Sequence, residues 1–95
     1  MKGRNCKTVP NCLRRYRRAR GLKQREVAEI LGLKSASMIS RWEKGIQIPS
    51  LLNAFWLALL YRTMVDALFI DWVRLLREEL RKREEEVLGQ SKDRK

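Results

Sequence analysis

Single glycines divide the first half of the chain into short segments, and this punctuation limits what the chain can fold into. Gly21, Gly32 and Gly45 each follow a segment whose apolar residues recur at helical spacing. Glycine commonly ends helices because it adopts positive φ at no steric cost. Since no segment alternates apolar and polar residues as a half-buried strand would, the sequence predicts an all-α fold.

The apolar spacing and the capping residues predict five helices. Their expected ranges are 11–20, 23–31, 35–44 or 36–44, 50–60 and 63–88. Asn11 and Ser50 are residue types that commonly cap a helix start. The last range contains neither proline nor an internal glycine, so we expect it to form one continuous helix.

The positive charge of the chain is concentrated near its start. Lys and Arg number 22 against 11 Asp and Glu, which gives a net charge of +11 over 95 residues. Residues 1–25 contain no acid, whereas the remainder of the chain is nearly neutral. A strongly basic domain with a polarised charge is typical of a protein that binds a polyanion, most often nucleic acid.

Cysteine usage and hydropathy predict a cytoplasmic protein. A disulfide between Cys6 and Cys12 is possible, but this segment offers little core for it to stabilise, so we expect two free thiols. The first ten residues lack the apolar stretch of a signal peptide. The longest apolar run, residues 51–61, is shorter than the roughly 20 residues that span a bilayer.

The sequence contains no residue set suited to catalysis, and we expect no enzyme activity. Histidine is absent, and no glycine-rich phosphate loop occurs. Glu84, Glu85 and Glu86 are consecutive on a polar helix, so they point in different directions and are interpreted as solvated charges. Zinc would lack its usual four ligands, and we expect neither a metal nor a cofactor.

The segment GLKSASMISRWEKG, residues 32–45, combines apolar residues with small and cationic ones. Ile39 and Trp42 lie three residues apart and would face the core of a helical domain. The outward positions are then Lys34, Ala36, Ser37, Ser40, Arg41 and Lys44. A helix with such a face can lie in the major groove of DNA, where Arg pairs bidentately with guanine. We therefore expect this face to contact base edges.

Residues 13–69 resemble the helix-turn-helix domains of the phage lambda repressor and Cro type, the Xre-like transcriptional regulators. The resemblance rests on GLKQREVAEILG, ISRWEKG, Pro49, LALL and the closing LF, in this order. It implies a five-helix domain that binds double-stranded DNA, with its last helix extended here. The expected organisation is a flexible basic arm at 1–10, this domain at 11–69, a C-terminal helix at 70–88 and a disordered tail at 89–95.

The resemblance also implies roles for individual residues. Base readout falls on Ala36, Ser37, Ser40 and Arg41. Phosphate contacts are expected from Gln24, Arg25, Lys34, Ser35, Lys44 and Gly45, with backbone N–H groups contributing around the last two. Arg17 and Glu43 are expected to form an internal structural pair. Six residues separate Gly32 from Ile39 where the family has five, so the register of residues 34–36 is less well defined than that from Ile39 onward.

The basic first helix is expected to lie near the phosphate backbone. Arg14, Arg15 and Arg18 have no acid within a helical turn to balance them. A solvated face is the alternative interpretation. We favour phosphate contacts by Arg14 and Arg18, which would add affinity without adding sequence preference.

The apolar stripe of the last helix exceeds what a small helical core needs. We expect its exposed part, Trp72, Val73, Leu76 and Leu80, to form a dimerisation surface. The alternatives are that this helix packs back across the domain, or that it lies on a membrane. The membrane alternative is disfavoured because the polar face carries many acids.

The function we expect is that of a sequence-specific regulator, phage-encoded or nucleoid-associated, that represses transcription as a homodimer. Such a dimer would place two recognition helices about 34 Å apart on an inverted-repeat operator. One alternative is an antitoxin-type protein whose extra helix binds a different chain. Another is an architectural protein that binds DNA without sequence preference. RNA recognition is disfavoured, because it commonly uses a sheet or loop surface for base stacking.

Overall fold

The computed structural model describes the backbone of residues 8–93 and the side chains of residues 8–89. Residues 8–93 form six α-helices and no strand. The helices are α1 (Leu13–Ala19), α2 (Gln24–Ile30), α3 (Ser37–Glu43), α4 (Leu51–Leu60), α5 (Val65–Leu68) and α6 (Ile70–Asp93). The prediction of an all-α fold with a long C-terminal helix is confirmed.

The first five helices each contribute one fully buried aliphatic side chain to a common core. These side chains are Leu13, Val27, Ile39, Leu57 and Leu68. Trp42 of α3 and Ala28 of α2 are also buried. A small residue at position 28 lets α3 cross α2 closely.

The last predicted helix is divided in two at Phe69, which the sequence did not indicate. The Phe69 backbone lies at φ −124° and ψ 36°, outside the helical region, so α5 ends at Leu68 and α6 begins at Ile70. Leu68 and Phe69 are both buried, so the break lies within the core. The cause is therefore tertiary packing, since neither proline nor glycine occurs here.

The chain ends also differ from the expected organisation. Residues 1–7 of the expected arm lie outside the described residues, but Val9 donates its N–H to the Gly45 carbonyl at 2.9 Å. Val9 and Pro10 are half-buried, so this part of the arm is packed against the domain. At the other end α6 continues past Leu88 to Asp93, so residues 89–93 of the expected tail are helical.

The state of the cysteines and the hydropathy of the helices can be compared with what the sequence predicted. Cys12 is a free, half-buried thiol at the start of α1, whereas Cys6 lies outside the described residues. Within residues 8–93, no helix combines the length and the apolar character needed to cross a bilayer.

Candidate nucleic-acid interface

The turn between α2 and α3 holds residues 34–36 outside the recognition helix. Gly32 has φ +77°, a conformation that glycine adopts readily and that turns the chain after α2. The Ser35 hydroxyl accepts the N–H of Ser37 at 3.3 Å and donates to the Ser37 hydroxyl at 3.1 Å. We expected α3 to begin at 35 or 36, but it begins at Ser37, with Ala36 as the half-buried residue before it.

One side of α3 is exposed and carries the residues expected to read bases. Ser37, Arg41 and Lys44 are exposed and Ser40 is half-buried. Positions three, four and seven apart lie on the same side of a helix. Ile39 and Trp42 lie on the opposite side and are at most 2% exposed. Both were predicted to face inward, and their burial confirms this.

Arg17 and Glu43 form the internal pair that the resemblance implied. Arg17 Nε donates to Glu43 Oε2 at 2.6 Å, and Nη2 donates to Oε1 at 3.2 Å. This hydrogen-bonded partner raises the pKa of Arg17 above its ordinary value. Gln24 of α2 also donates to Glu43 Oε1, at 2.9 Å. One carboxylate therefore connects α1, α2 and the end of α3.

Asn11 has a second role that sequence analysis missed. Asn11 was expected to cap the first helix, but the N-cap residue is Cys12; Asn11 lies one residue earlier, and its Oδ1 accepts the N–H of Leu13 at 3.0 Å. Its Nδ2 also donates to the carbonyls of Trp42 at 3.1 Å and Glu43 at 3.4 Å. The Trp42 carbonyl also accepts the Gly45 N–H, so Asn11 adds a second hydrogen bond there, and its two contacts link the end of α3 to the start of α1.

The expected phosphate-binding side chains lie at the two ends of the α3 face. At the N-terminal end, one groove is lined by Arg25, Lys34, Ser35 and Ala36 together with Ala28, Glu29 and Leu33. At the C-terminal end, another is lined by Arg14, Arg17, Gln24, Ser40, Glu43 and Lys44. The structure thus brings together basic residues from three helices and the turn around a central stretch of serines.

The positive surface continues from α3 along α1. Arg14, Arg15 and Arg18 line a third groove with Asn11 and Cys12 of the preceding segment and Glu43 of α3. All three arginines are exposed. Arg14 lines both this groove and the one at the C-terminal end of α3, so α1 extends the cationic surface that the recognition helix begins.

The expected phosphate contact through backbone N–H groups around Gly45 is not supported by the geometry. The Gly45 N–H donates to Trp42 O and the Lys44 N–H donates to Ser40 O, both at 3.0 Å. Gly45 itself is buried, because Val9 packs against it. The Lys44 side chain remains exposed and is the group at this position that can reach a phosphate.

The four residues expected to form a dimerisation surface on α6 differ in exposure. Trp72 is half-buried, packs against the core and meets the Phe69 ring edge to face, with centroids 5.9 Å apart. Val73 is also half-buried. Leu76 and Leu80 are exposed, so these two residues present the larger share of their side chains to solvent. The dimerisation role of these four residues stays a prediction.

Two short helices joined by a glycine turn, with the second exposing small and cationic residues, define a helix-turn-helix protein that binds DNA. A helix-turn-helix family model matches residues 13–63, which is more than half of the chain. The chain therefore belongs to the Xre-like, lambda repressor-type helix-turn-helix family. It is a DNA-binding transcription regulator of that type. Comparisons with curated proteins and with solved structures gave no significant match.

Proposed function

We propose that this regulator reads a specific sequence of double-stranded DNA with the outer face of α3 and represses transcription as a dimer. The observation that carries the proposal is the single line of exposed Ser37, Arg41 and Lys44 backed by the buried Ile39 and Trp42. A face held in this way can enter the major groove without rearrangement of the core.

Arg41 is the residue proposed to contribute most to base preference. It is exposed at the centre of the α3 face, and a guanidinium can donate two parallel hydrogen bonds to guanine O6 and N7. Ser37 and Ser40 can donate to or accept from several bases, so their readout is more tolerant. Ala36, before the helix, offers a methyl group to a thymine methyl.

The residues at the two ends of the face are proposed to contact phosphates. Arg25, Lys34 and Ser35 would contact one strand, with Lys44, Arg14 and Arg18 on the other side of the groove. Gln24 can join them, because its Nε2 carries a second N–H beyond the one donated to Glu43. Contacts on both sides would fix the position of α3 in the groove while leaving sequence preference to the central residues.

Repression would follow from the geometry of a dimer on an inverted repeat. Two copies of α3 in successive major grooves lie about 34 Å apart along the duplex. A protein bound in this way excludes polymerase from an overlapping promoter. The spacing of the two half-sites is therefore a measurable consequence of the proposal.

The direct experiment is selection from a random double-stranded DNA pool with the purified protein at near-physiological salt, followed by sequencing. We expect an enriched inverted repeat. Arg41→Ala should then reduce the preference at one base pair per half-site by about 1–3 kcal/mol, while Arg77→Ala on α6 should leave it unchanged. Tight, salt-sensitive binding without enrichment would favour the architectural alternative.

The antitoxin-type alternative draws support from α6. Its side chains from Arg74 to Leu88 are exposed, so this length of helix is available to a different chain. Co-expression with the product of the neighbouring gene tests this alternative. A stable complex that is lost in a Leu76→Glu, Leu80→Glu variant would support it.

A further inference from the structure

Helix α4 carries large apolar side chains on the side that faces away from the domain. Its inward side consists of Ala54, Leu57 and Ala58, all nearly fully buried. Its outward side consists of Leu51, Leu52, Phe55, Trp56 and Leu59, which are between 49% and 72% exposed. A helix that is apolar on all sides is typical of a buried helix, yet here only one side of α4 is packed.

The five outward residues form a single surface, here named the α4 outer face. Their positions follow the i, i+1, i+4, i+5, i+8 pattern that places side chains along one side of a helix. The small alanines point inward and the aromatic rings of Phe55 and Trp56 point outward. Core packing alone does not account for this arrangement, because it leaves the largest apolar groups in contact with water.

The size of the α4 outer face matches one side of a protein–protein interface. From the exposed fractions and the areas of these side chains, the face presents roughly 600 Å² of accessible surface. Two such faces would bury roughly 1,200 Å² in total, the lower end of the range for stable, specific interfaces. Ile46 and Ile48, in the loop before α4, are also exposed and can extend the area.

The charge pattern favours a second copy of this chain as the occupant. No charged residue occurs between Lys44 and Arg62, although 35% of the chain is charged. Two copies that each carry a net charge of +11 repel each other, and an uncharged face lets them approach without opposing like charges. Because the same uncharged face is present on both copies, it is complementary to itself, as a two-fold symmetric interface requires.

The exposed part of α6 is less suited to contact between copies, because it is not a continuous uncharged apolar surface. The exposed apolar residues of α6 are Leu75, Leu76, Leu80, Val87 and Leu88. Residues three or four positions apart are neighbours on a helix, and charged residues occupy such positions beside the central pair: Glu79 next to Leu76, and Arg77, Arg83 and Glu84 next to Leu80. The apolar surface of α6 is therefore interrupted. The helix-turn-helix unit itself is also unsuitable, because its exposed residues are cationic. The α4 outer face is therefore the surface that best fits contact between copies.

We propose that two copies of this chain associate through their α4 outer faces. This inference deepens the proposed function and rests on it, because it names the surface that would pair two recognition helices on an operator. Phe55 and Trp56 are the central anchors of the interface, since aromatic residues near the centre commonly dominate binding energy. The Leu76 and Leu80 surface of α6 is then not required for dimerisation.

Sedimentation equilibrium of the full chain without DNA tests the interface. We expect a dimer at micromolar concentration, and at least roughly 100-fold weaker association for Phe55→Glu, Leu59→Glu, since both groups lie in the proposed contact. Leu52→Lys places a charge at another exposed position of the α4 outer face and should also weaken the dimer. Leu76→Glu, Leu80→Glu is the matched control and should remain dimeric, and circular dichroism should show native helix content in all variants.

The proposal is overturned if the native chain is a monomer at about 100 µM, or if the α4 variants remain dimeric. It is also overturned if the α6 variant becomes monomeric while the α4 variants do not. Failure of the operator hypothesis would look different. A dimer that enriches no DNA sequence would leave the interface intact, whereas a monomer that binds single half-sites specifically would support base readout and exclude this interface.

Discussion

The Glu43 carboxylate at the end of α3 is held by Arg17 from α1, with Nε of the guanidinium 2.6 Å from Oε2. Gln24 of α2 donates to the other oxygen, and the Glu43 side chain is only 5% exposed. The three helices that frame the proposed DNA-facing surface are thus joined at one point. The contact lies behind the reading face, so it determines how α3 is presented and leaves the outer side chains free.

Glu43→Gln should destabilise the domain strongly, because it leaves the buried Arg17 guanidinium without a counter-charge. We expect a loss of about 3 kcal/mol in the free energy of unfolding, measured by urea denaturation. The exposed Arg81–Glu78 pair, with both side chains 62% exposed, provides the control, and Glu78→Gln should cost less than about 1 kcal/mol. Equal losses for the two variants would mean that the Arg17–Glu43 pair stabilises the domain no more than an exposed ion pair does.

The arginines of α1 should contribute to affinity on every DNA sequence. Arg14→Gln and Arg18→Gln should each reduce the slope of log K against log salt by about 1, because each removes roughly one phosphate contact. Fluorescence anisotropy with the selected operator and with a scrambled duplex measures the affinity on each DNA and its dependence on salt.

Arg77→Gln removes the same charge from α6, away from the proposed DNA-facing surface, and is the matched control for Arg14 and Arg18. It should leave the salt dependence nearly unchanged. If Arg77→Gln reduces the slope as much as Arg14→Gln does, net charge rather than the position of α1 determines the binding.

Periodicity made much of this molecule predictable. The helical spacing of Ile39 and Trp42 assigned the inward side of α3, and this also gave its outward side. The Arg17–Glu43 pair could be expected from the family resemblance alone, because nothing local relates residues so distant in the sequence. Helix ends proved less predictable, since the sequence favours one helix across Phe69 and only the core explains the break.

Other contacts between distant segments were beyond sequence reasoning. The Asn11 amide reaches the carbonyls of Trp42 and Glu43, and neither a short motif nor a periodic pattern indicates this. Likewise, the run of apolar residues in α4 does not reveal which side is packed. Burial of Ala54 and Leu57 together with exposure of Phe55 depends on how neighbouring helices dock.

Gly45 and Gly21 offer a comparison of steric clash with backbone strain. Both have positive φ, +76° and +72°, so Ala at either position is strained by about 1–2 kcal/mol. A Cβ at Gly45 would also clash with the Val9 carbonyl oxygen, whereas a Cβ at Gly21 meets nothing within 4 Å among the described residues.

Gly45→Ala should therefore destabilise the domain more than Gly21→Ala, by at least about 1 kcal/mol, because it must displace a backbone that donates to Gly45. Thermal unfolding of the two variants measures the difference. Equal destabilisation would mean that the contact between Val9 and Gly45 does not restrain the loop after α3.

Tyr61 should make the stability of the protein fall at alkaline pH. Burial, and secondarily the negative charge of Glu43, raise the pKa of Tyr61 above its ordinary value of 10.0, and its hydroxyl has no hydrogen-bond partner within the described part of the chain. Above pH 10 the unfolded chain releases this proton while the folded chain retains it, so the free energy of unfolding decreases by up to about 1.4 kcal/mol per pH unit. Tyr61→Phe should remove this contribution and, at neutral pH, leave stability unchanged or slightly higher, because an unpaired buried hydroxyl is lost.

Urea denaturation from pH 8 to about 11 measures the effect against Tyr16→Phe, which retains Tyr61 and should follow the native protein. Parallel pH profiles for native protein and Tyr61→Phe would show that the Tyr61 hydroxyl titrates as it does in the unfolded chain.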